Sequence, residues 1–438
     1  MIPREHNGWF SINALLWLIA IVFLLSIPEQ SDFYLLSIGF PLAFLTYAYF
    51  IWDAPKGTKL KWAILVGAIA RLIAIFFFPN LSDDIYRFIW DGRIAHHGLQ
   101  PYAYLPTDIV QTLPSLANDG LLDNMNSPDY YTVYPPVSQF VFYLSSWIGL
   151  SLTGSSIIMK SVFFIAEFVT LRYLIKSLQL MKMSASLVLI YWLNPLIVIE
   201  SFGNLHFEVI MITFLAVALF YWQSKAIYKS MIFLSLSVGA KLLSLMVLPY
   251  LLWQIRWRKG IKALAVFVGA SLVIFSPLLF GLNYGEFLSS IDLYFRKFEF
   301  NAGLYYLLRW IGFQISGYNL IAYIGPMLGL TYLLITLRYT IKDKASNAFE
   351  YLFVVLLLYI LMATTIHPWY LSIPIFCSVF VRSRIVIVWS ALIWLTYINY
   401  SYPDYHENLY IVALEYTLLA LYFWYERSRK SKLAVQKN

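Results

Sequence analysis

The residues describe an all-α polytopic membrane protein of about 12 to 14 transmembrane helices. Composition is the first reason: 61% of the chain is hydrophobic and only 12% charged, too apolar for a soluble domain of 438 residues. Run length is the second, because apolar stretches of about 17 to 22 residues recur, each near the length that crosses a hydrocarbon core of roughly 30 Å as a helix. Charge placement is the third. Lysines and arginines sit in short loops between these stretches, so the net charge of +8 is topogenic and gives no sign of nucleic acid as a partner. The single cysteine, Cys377, excludes an internal disulfide. Residues 1–438 read as one integral membrane domain surrounded by membrane lipids.

Taken in order, Trp9 to Ile27 is too long for a signal-peptide core and lacks a small-residue cleavage site, so it is expected to be a retained span leading outward. Phe33 to Trp52 returns, the cluster "KGTKLK" at Lys56 to Lys61 is cytoplasmic, and Trp62 to Phe78 exits again. Residues 80–134 then form an external loop. Val137 to Leu171 looks like two short helices, and Arg172, Lys176 and Lys182 argue for one net crossing. That places Glu200 to Glu208 outside; two full crossings would make the segment cytoplasmic. Ile227 to Ile255 is too long for one perpendicular span and has basic flanks, so two short segments are expected to turn near Lys241 and lift it to the outer side. Basic loops at Arg256 to Lys262, Arg338 to Lys344 and Arg382 to Arg384, and the tail "ERSRKSK", then fall inside, with a cytoplasmic C-terminus.

Under this topology the unusual polar clusters share one side: Asp83 to Arg93, Glu200 to Glu208, Lys241, Phe295 to Asn301, and His367 to Tyr370. Ionisable groups at membrane depth cost about 2.5 to 3.5 kcal/mol each, so their gathering implies a polar cavity, although any one cluster could be a hydrated loop end. In "SDDIYRFIWDGRIAHHGLQPY", Ser82 can cap a helix whose first turn carries Asp83 and Asp84, and Gly98 stops it. Apolar residues recur at helical spacing while Asp84, Arg87 and Asp91 share a side, which predicts an amphipathic helix on the outer membrane surface. Such a helix needs neither a second acid nor an arginine within reach of both flanking acids. His96 and His97 read as interfacial, and Arg71, midway along a span, is expected to face a structural partner.

The order "IYRFIWDGRIAHHGLQPYAY", "TVYPPVSQF", "LNPLIVIESFGNLHFE", "SVGAKLL" and "HPWYLSIP" resembles the membrane-embedded glycosyltransferases of fold class C (GT-C) that use lipid-phosphate-linked sugars. More narrowly, it is similar to bacterial relatives of the polyprenyl-phosphate-mannose-dependent mannosyltransferases and of the catalytic subunit of GPI mannosyltransferase I. The resemblance runs from Trp62 to Pro374 through short motifs that are specific only in combination. It implies a GT-C-like fold in the bacterial inner (cytoplasmic) membrane with its active site facing outside. There, a sugar, by family mannose, would pass from a polyprenyl-phosphate-linked donor to a lipid or glycan acceptor by inverting direct displacement.

Such a transfer needs a carboxylate base for the acceptor hydroxyl. Asp83 and Asp84 are the candidates, with Asp84 preferred; the related enzymes carry Asp-x-Asp where this chain has adjacent acids, so the equivalence stays open. Positive charge for the leaving phosphate would come from Lys241, Arg296, Lys297 or His367. Arg87, Asp91, Tyr134, Glu200, His206, Glu208, Trp369 and Tyr370 are expected to bind or support the acceptor and sugar, or, for Arg87 with Asp91, simply to hold the helix. His206 with Glu208 could orient the acceptor or, with Asp83, hold a divalent cation; no HExxH or Cys/His spacing is present, and a divalent cation is the one cofactor left open. With no GxxxxGK[ST] or GxGxxG, the energy must come from the donor. The rival readings are a transporter or flippase of a lipid-linked substrate, whose key groups belong near the midplane between repeats, and a membrane glycan polymerase or ligase.

Overall fold

The computed structural model describes residues 6–148, 151–279, 298–342, 344–404 and 406–435. Among them the chain is all helix and loop, apart from an isolated parallel bridge between Phe300 and Thr365. The principal helices are α1 (His6–Leu25), α2 (Phe33–Asp53), α3 (Gly57–Ala74), α4 (Asp84–His96), α5 (Pro136–Ile148), α6 (Leu152–Leu180), α7 (Glu208–Gln223) and α8 (Ile227–Ala240). They are followed by α9 (Trp257–Leu279), α10 (Leu304–Ser316), α11 (Ile321–Ile341), α12 (Ala348–Met362) and α13 (Leu409–Val435). Helices α1, α2, α6, α9 and α11 are each long and apolar enough to cross a membrane, and the pair Ala185–Trp192 and Ile197–Gly203 meets the same test as one element bent by 61°. Shorter apolar helices, among them α7, α8 and α12, complete an integral, multi-pass membrane protein.

Where the helices depart from the hydropathy reading, the cause is local. The second half of the Val137–Leu171 stretch is a full-length helix, α6, which Ser151 caps by accepting from the Gly154 amide at 3.0 Å. Only α5 is short. The long run after Ile227 breaks as its length requires: α8 ends at Ala240, Lys241 is extended (φ −159°, ψ 137°), and a 3₁₀ turn over Leu242–Val247 follows. Helix α4 begins at Asp84 with Asp83, not Ser82, at the N-cap and no side-chain cap; the Ser82 hydroxyl accepts from the Asp84 amide at 3.4 Å, a local turn just before the helix. The helix is packed into the protein on both its apolar and its polar side, however. Ile85, Phe88, Ile89, Trp90 and Ile94 are buried, and so are Arg87 and Asp91 on the polar side. Periodicity alone cannot distinguish these cases, because a polar stripe satisfied by loop carbonyls looks the same in sequence as one satisfied by water.

Two buried cations fix the approach to α4. Arg71 on α3 pairs with Glu167 on α6 at 2.7 and 2.8 Å, donates to the Gly67 and Trp192 carbonyls, and lies 3.9 Å from the Trp192 ring centroid. Glu167 also accepts from the Tyr191 hydroxyl at 2.6 Å. The structural partner expected for Arg71 is therefore an acid on another span. Lys160, also on α6, donates to the carbonyls of Ala74 and Phe77 just past the end of α3, where a cation offsets the unpaired carbonyls of a helix terminus. Both contacts tie α3 to α6 immediately before the Ser82–Asp84 turn.

Candidate active site

Residues distant in sequence meet at the N-terminal end of α4. Asp84, its side chain 24% exposed, accepts from the Tyr134 hydroxyl at 3.1 Å through Oδ2 and from Asn126 Nδ2 at 3.2 Å through Oδ1. The same Oδ2 stands 3.8 Å from Nδ1 of His206, too far for a hydrogen bond. Asp83 faces another way, accepting weakly from Gln30 in the α1–α2 loop at 3.4 Å. Partial burial, and then the neighbouring Asp84 charge, hold the Asp83 carboxyl above the usual carboxylate range, with the Gln30 bond opposing them.

The segment expected to join this acid from afar is shaped by an uncommon turn. Ile197–Gly203 is π-helical, a form concentrated at functional sites, and Leu205 just beyond it is fully buried at φ +60°, a left-handed conformation rarely taken by leucine. Its products are two buried polar groups, Glu200 and His206. Glu200 accepts from Tyr397 at 2.8 Å and from Asn204 at 3.4 Å, and its Oε2 lies 3.8 Å from His206 Nε2. Glu208, opening α7, is ion-paired with Lys241, and the Lys241 ammonium lies 5.8 Å from the Tyr370 ring centroid. The break after α8 is what lets the lysine reach that acid.

An aromatic column joins the remaining segments. His206 stacks on Trp369 (3.7 Å between centroids, 18°), Trp369 on His367 (4.4 Å, 1°), and His367 on Phe300 (4.8 Å, 22°). Both faces of the Trp369 indole are thus covered by imidazoles. The main chain sets the last pair, since Phe300 N donates to Thr364 O at 3.1 Å and Ile366 N donates to Phe300 O at 2.8 Å. Burial, and then the Lys241 charge, lower the His367 imidazole to about 3, so it offers a neutral ring rather than a cation; His206 is likewise held well below its usual range by burial, Lys241 and His367.

The polar clusters singled out in the sequence are therefore in one neighbourhood, with Phe295 to Asn301 represented there by Phe300. Arg296 and Lys297 lie outside the described residues. Arg87 and Asp91 are a support: Arg87 bonds Asp91 at 2.8 Å and the carbonyls of Ser127 and Tyr130, while Gln139 donates to Asp91 at 2.7 Å. This clamp holds the Ser127–Tyr134 strand of loop over α4, and with it the tyrosine that touches Asp84. Among the described residues no three His, Cys, Asp or Glu side chains come together to hold a metal ion, Asp83 and Glu208 included. Sequence reasoning missed Asn126, Gln139 and Tyr397. Only Gln139, just inside a helix beginning with proline, left a trace, as a polar residue on an apolar face.

The comparisons bear on what such a neighbourhood does. No curated protein and no solved structure matches the chain. A family profile does, over residues 19–256, more than half of the chain and including Asp83, Asp84, Tyr134, Glu200, His206, Glu208 and Lys241. Its description is alpha-(1->6)-mannopyranosyltransferase, N-terminal domain, of the MptA/B group. The chain belongs to this mannopyranosyltransferase family and is a membrane-embedded glycosyltransferase.

Proposed function

We propose that the protein moves a mannosyl unit from a polyprenyl-phosphate donor to a lipid or glycan acceptor on the extracytoplasmic face, with Asp84 as base. The acceptor hydroxyl gives its proton to Asp84 as its oxygen bonds the anomeric carbon, and the bond from that carbon to the donor phosphate breaks with its electron pair leaving on the phosphate. One displacement inverts the anomeric configuration. The observation that carries the assignment is the asymmetry of the two acids. Asp84 is partly exposed, oriented by Tyr134 and Asn126, and stands 3.8 Å from His206, whereas Asp83 turns toward Gln30 and away from these groups.

Lys241 supports the leaving phosphate in this reading. Its pairing with Glu208 keeps a cation at the site between turnovers, and its side chain retains 26% exposure through which a phosphate could compete for it. His367 contributes as a neutral hydrogen-bond donor. The extracytoplasmic orientation rests on the basic loops, and a donor entering sideways from the outer leaflet fits a site built at helix ends. The test is incubation of purified protein with synthetic polyprenyl-phosphate mannose and membrane acceptors, reading the anomeric configuration of the product. A glycoside opposite in configuration to the donor is expected; retention, or no transfer from any lipid-linked mannose, would overturn the reading.

A further inference from the structure

We propose that His206 is the positioning residue of the base, its imidazole bridging Asp84 to the buried Glu200 so that one oxygen of Asp84 is loaded and the other faces the acceptor hydroxyl. The inference rests on the reading of Asp84 as base. It begins from the way the ring is held. Trp369 covers one face of the imidazole, fixing its plane, and each ring nitrogen lies 3.8 Å from a carboxyl oxygen, Nδ1 from Asp84 Oδ2 and Nε2 from Glu200 Oε2. Nε2 is buried and makes no hydrogen bond, a state costly enough to need a reason. The far end of the chain is anchored as well: Tyr397 and Asn204 both donate to Glu200.

The backbone that delivers these groups is itself expensive, since the π-helical turn and the left-handed Leu205 lie between Glu200 and His206. Backbone of this kind persists where surrounding structure holds it for a purpose. Catalytic hydrogen bonds commonly tighten to bonding distance only in the substrate complex, and separations of 3.8 Å are within that range of adjustment. With Nδ1–H donating to Asp84, and Glu200 as its neutral acid donating to Nε2, Asp84 Oδ2 would carry the Tyr134 hydroxyl and the imidazole together, leaving Oδ1, held by the Asn126 amide, as the atom that takes the proton. Lys241 and His367 are the other ionisable groups whose charge acts on the ring.

The experiment compares kcat and donor KM for transfer from polyprenyl-phosphate mannose in His206→Phe, His206→Asn and His206→Gln, with Asp84→Asn in the same assay. Phe keeps the stack on Trp369 and removes both nitrogens; Asn puts an N–H where Nδ1 stands; Gln reaches toward Glu200 instead. His206→Phe should lose about tenfold to a hundredfold in kcat with donor KM changed less than about twofold, and Asn should recover most of that loss. Adding Glu200→Ala to His206→Phe should cost little more, because the two act as one unit. An inactive Asp84→Asn beside a fully active His206→Phe would overturn the positioning role while sparing the base. Full activity in Asp84→Asn would overturn both. Should the Phe variant not accumulate folded, Asn no better than Gln refutes the bridge.

Discussion

Removing the Tyr134 hydroxyl isolates the support given to the base. In Tyr134→Phe the ring keeps its edge contacts with Phe88 at 4.9 Å and Phe142 at 5.5 Å, so no cavity forms, and the loss is the hydroxyl at 3.1 Å from Asp84 Oδ2. A hydrogen bond to a charged group is worth about 1.5 to 3 kcal/mol when shielded from water. Asp84 is 24% exposed, so water can replace part of the bond and the lower end applies. At 1.36 kcal/mol per decade, about 1.5 kcal/mol corresponds to roughly a tenfold fall in kcat/KM. The assay is steady-state transfer from polyprenyl-phosphate mannose in detergent or nanodiscs, with a melting curve to show that the fold is intact. A change below about twofold would remove Tyr134 from the site, and a loss as large as that from deleting the Asp84 carboxylate would mean that the hydroxyl, not the acid, is the essential group.

Other consequences follow from the buried charges. Arg71→Met should cost about 3 to 5 kcal/mol by stranding Glu167 in the protein interior, and Arg71→Met with Glu167→Met should recover most of it; equal losses in single and double variants, measured by thermal unfolding, would refute the pairing. Lys241→Met leaves Glu208 without its cation and should lose both stability and transfer, whereas Lys241→Met with Glu208→Gln should regain the melting temperature and remain inactive. Regained transfer in that double variant would exclude Lys241 from phosphate binding. Glu407, in the loop before α13, accepts from the Asn301 amide and from Tyr306, yet burial, and next the Glu299 charge, push its carboxyl up to about 7. A carboxyl raised on folding binds more protons folded than unfolded, so its stabilisation is complete below its ordinary pKa and disappears as pH rises through about 7. Glu407→Gln should therefore flatten the decline in melting temperature across that window; an unchanged decline would contradict the assignment.

How far the sequence spoke for itself depended on the kind of signal. Hydropathy located α2 to within a residue and α1 to within about a turn because a span is a local property of its own side chains, and the break at Lys241 followed from a run too long to be one helix. The clusters around Asp84, His206, Lys241 and His367 were legible because ionisable groups beside apolar runs are costly unless they share a purpose. What could not be read was pairing. Nothing near Arg71 names Glu167, and nothing near Glu200 names Tyr397, because those contacts are made by helix packing between residues far apart in the chain. The burial of α4 was hidden for the same reason: its polar stripe is satisfied by Asp91, Gln139 and the carbonyls of Ser127 and Tyr130 instead of water. The π-helical turn before His206 has no periodicity signature of its own.

The assignment of the base is tested most directly by purified Asp84→Asn and Asp83→Asn proteins transferring from polyprenyl-phosphate mannose, each checked for an unaltered melting curve. Loss of the base should lower kcat by about a hundredfold to ten-thousandfold in Asp84→Asn, while Asp83→Asn retains most of the wild-type rate. An Asp84→Asn enzyme that turns over like the wild type would contradict the account.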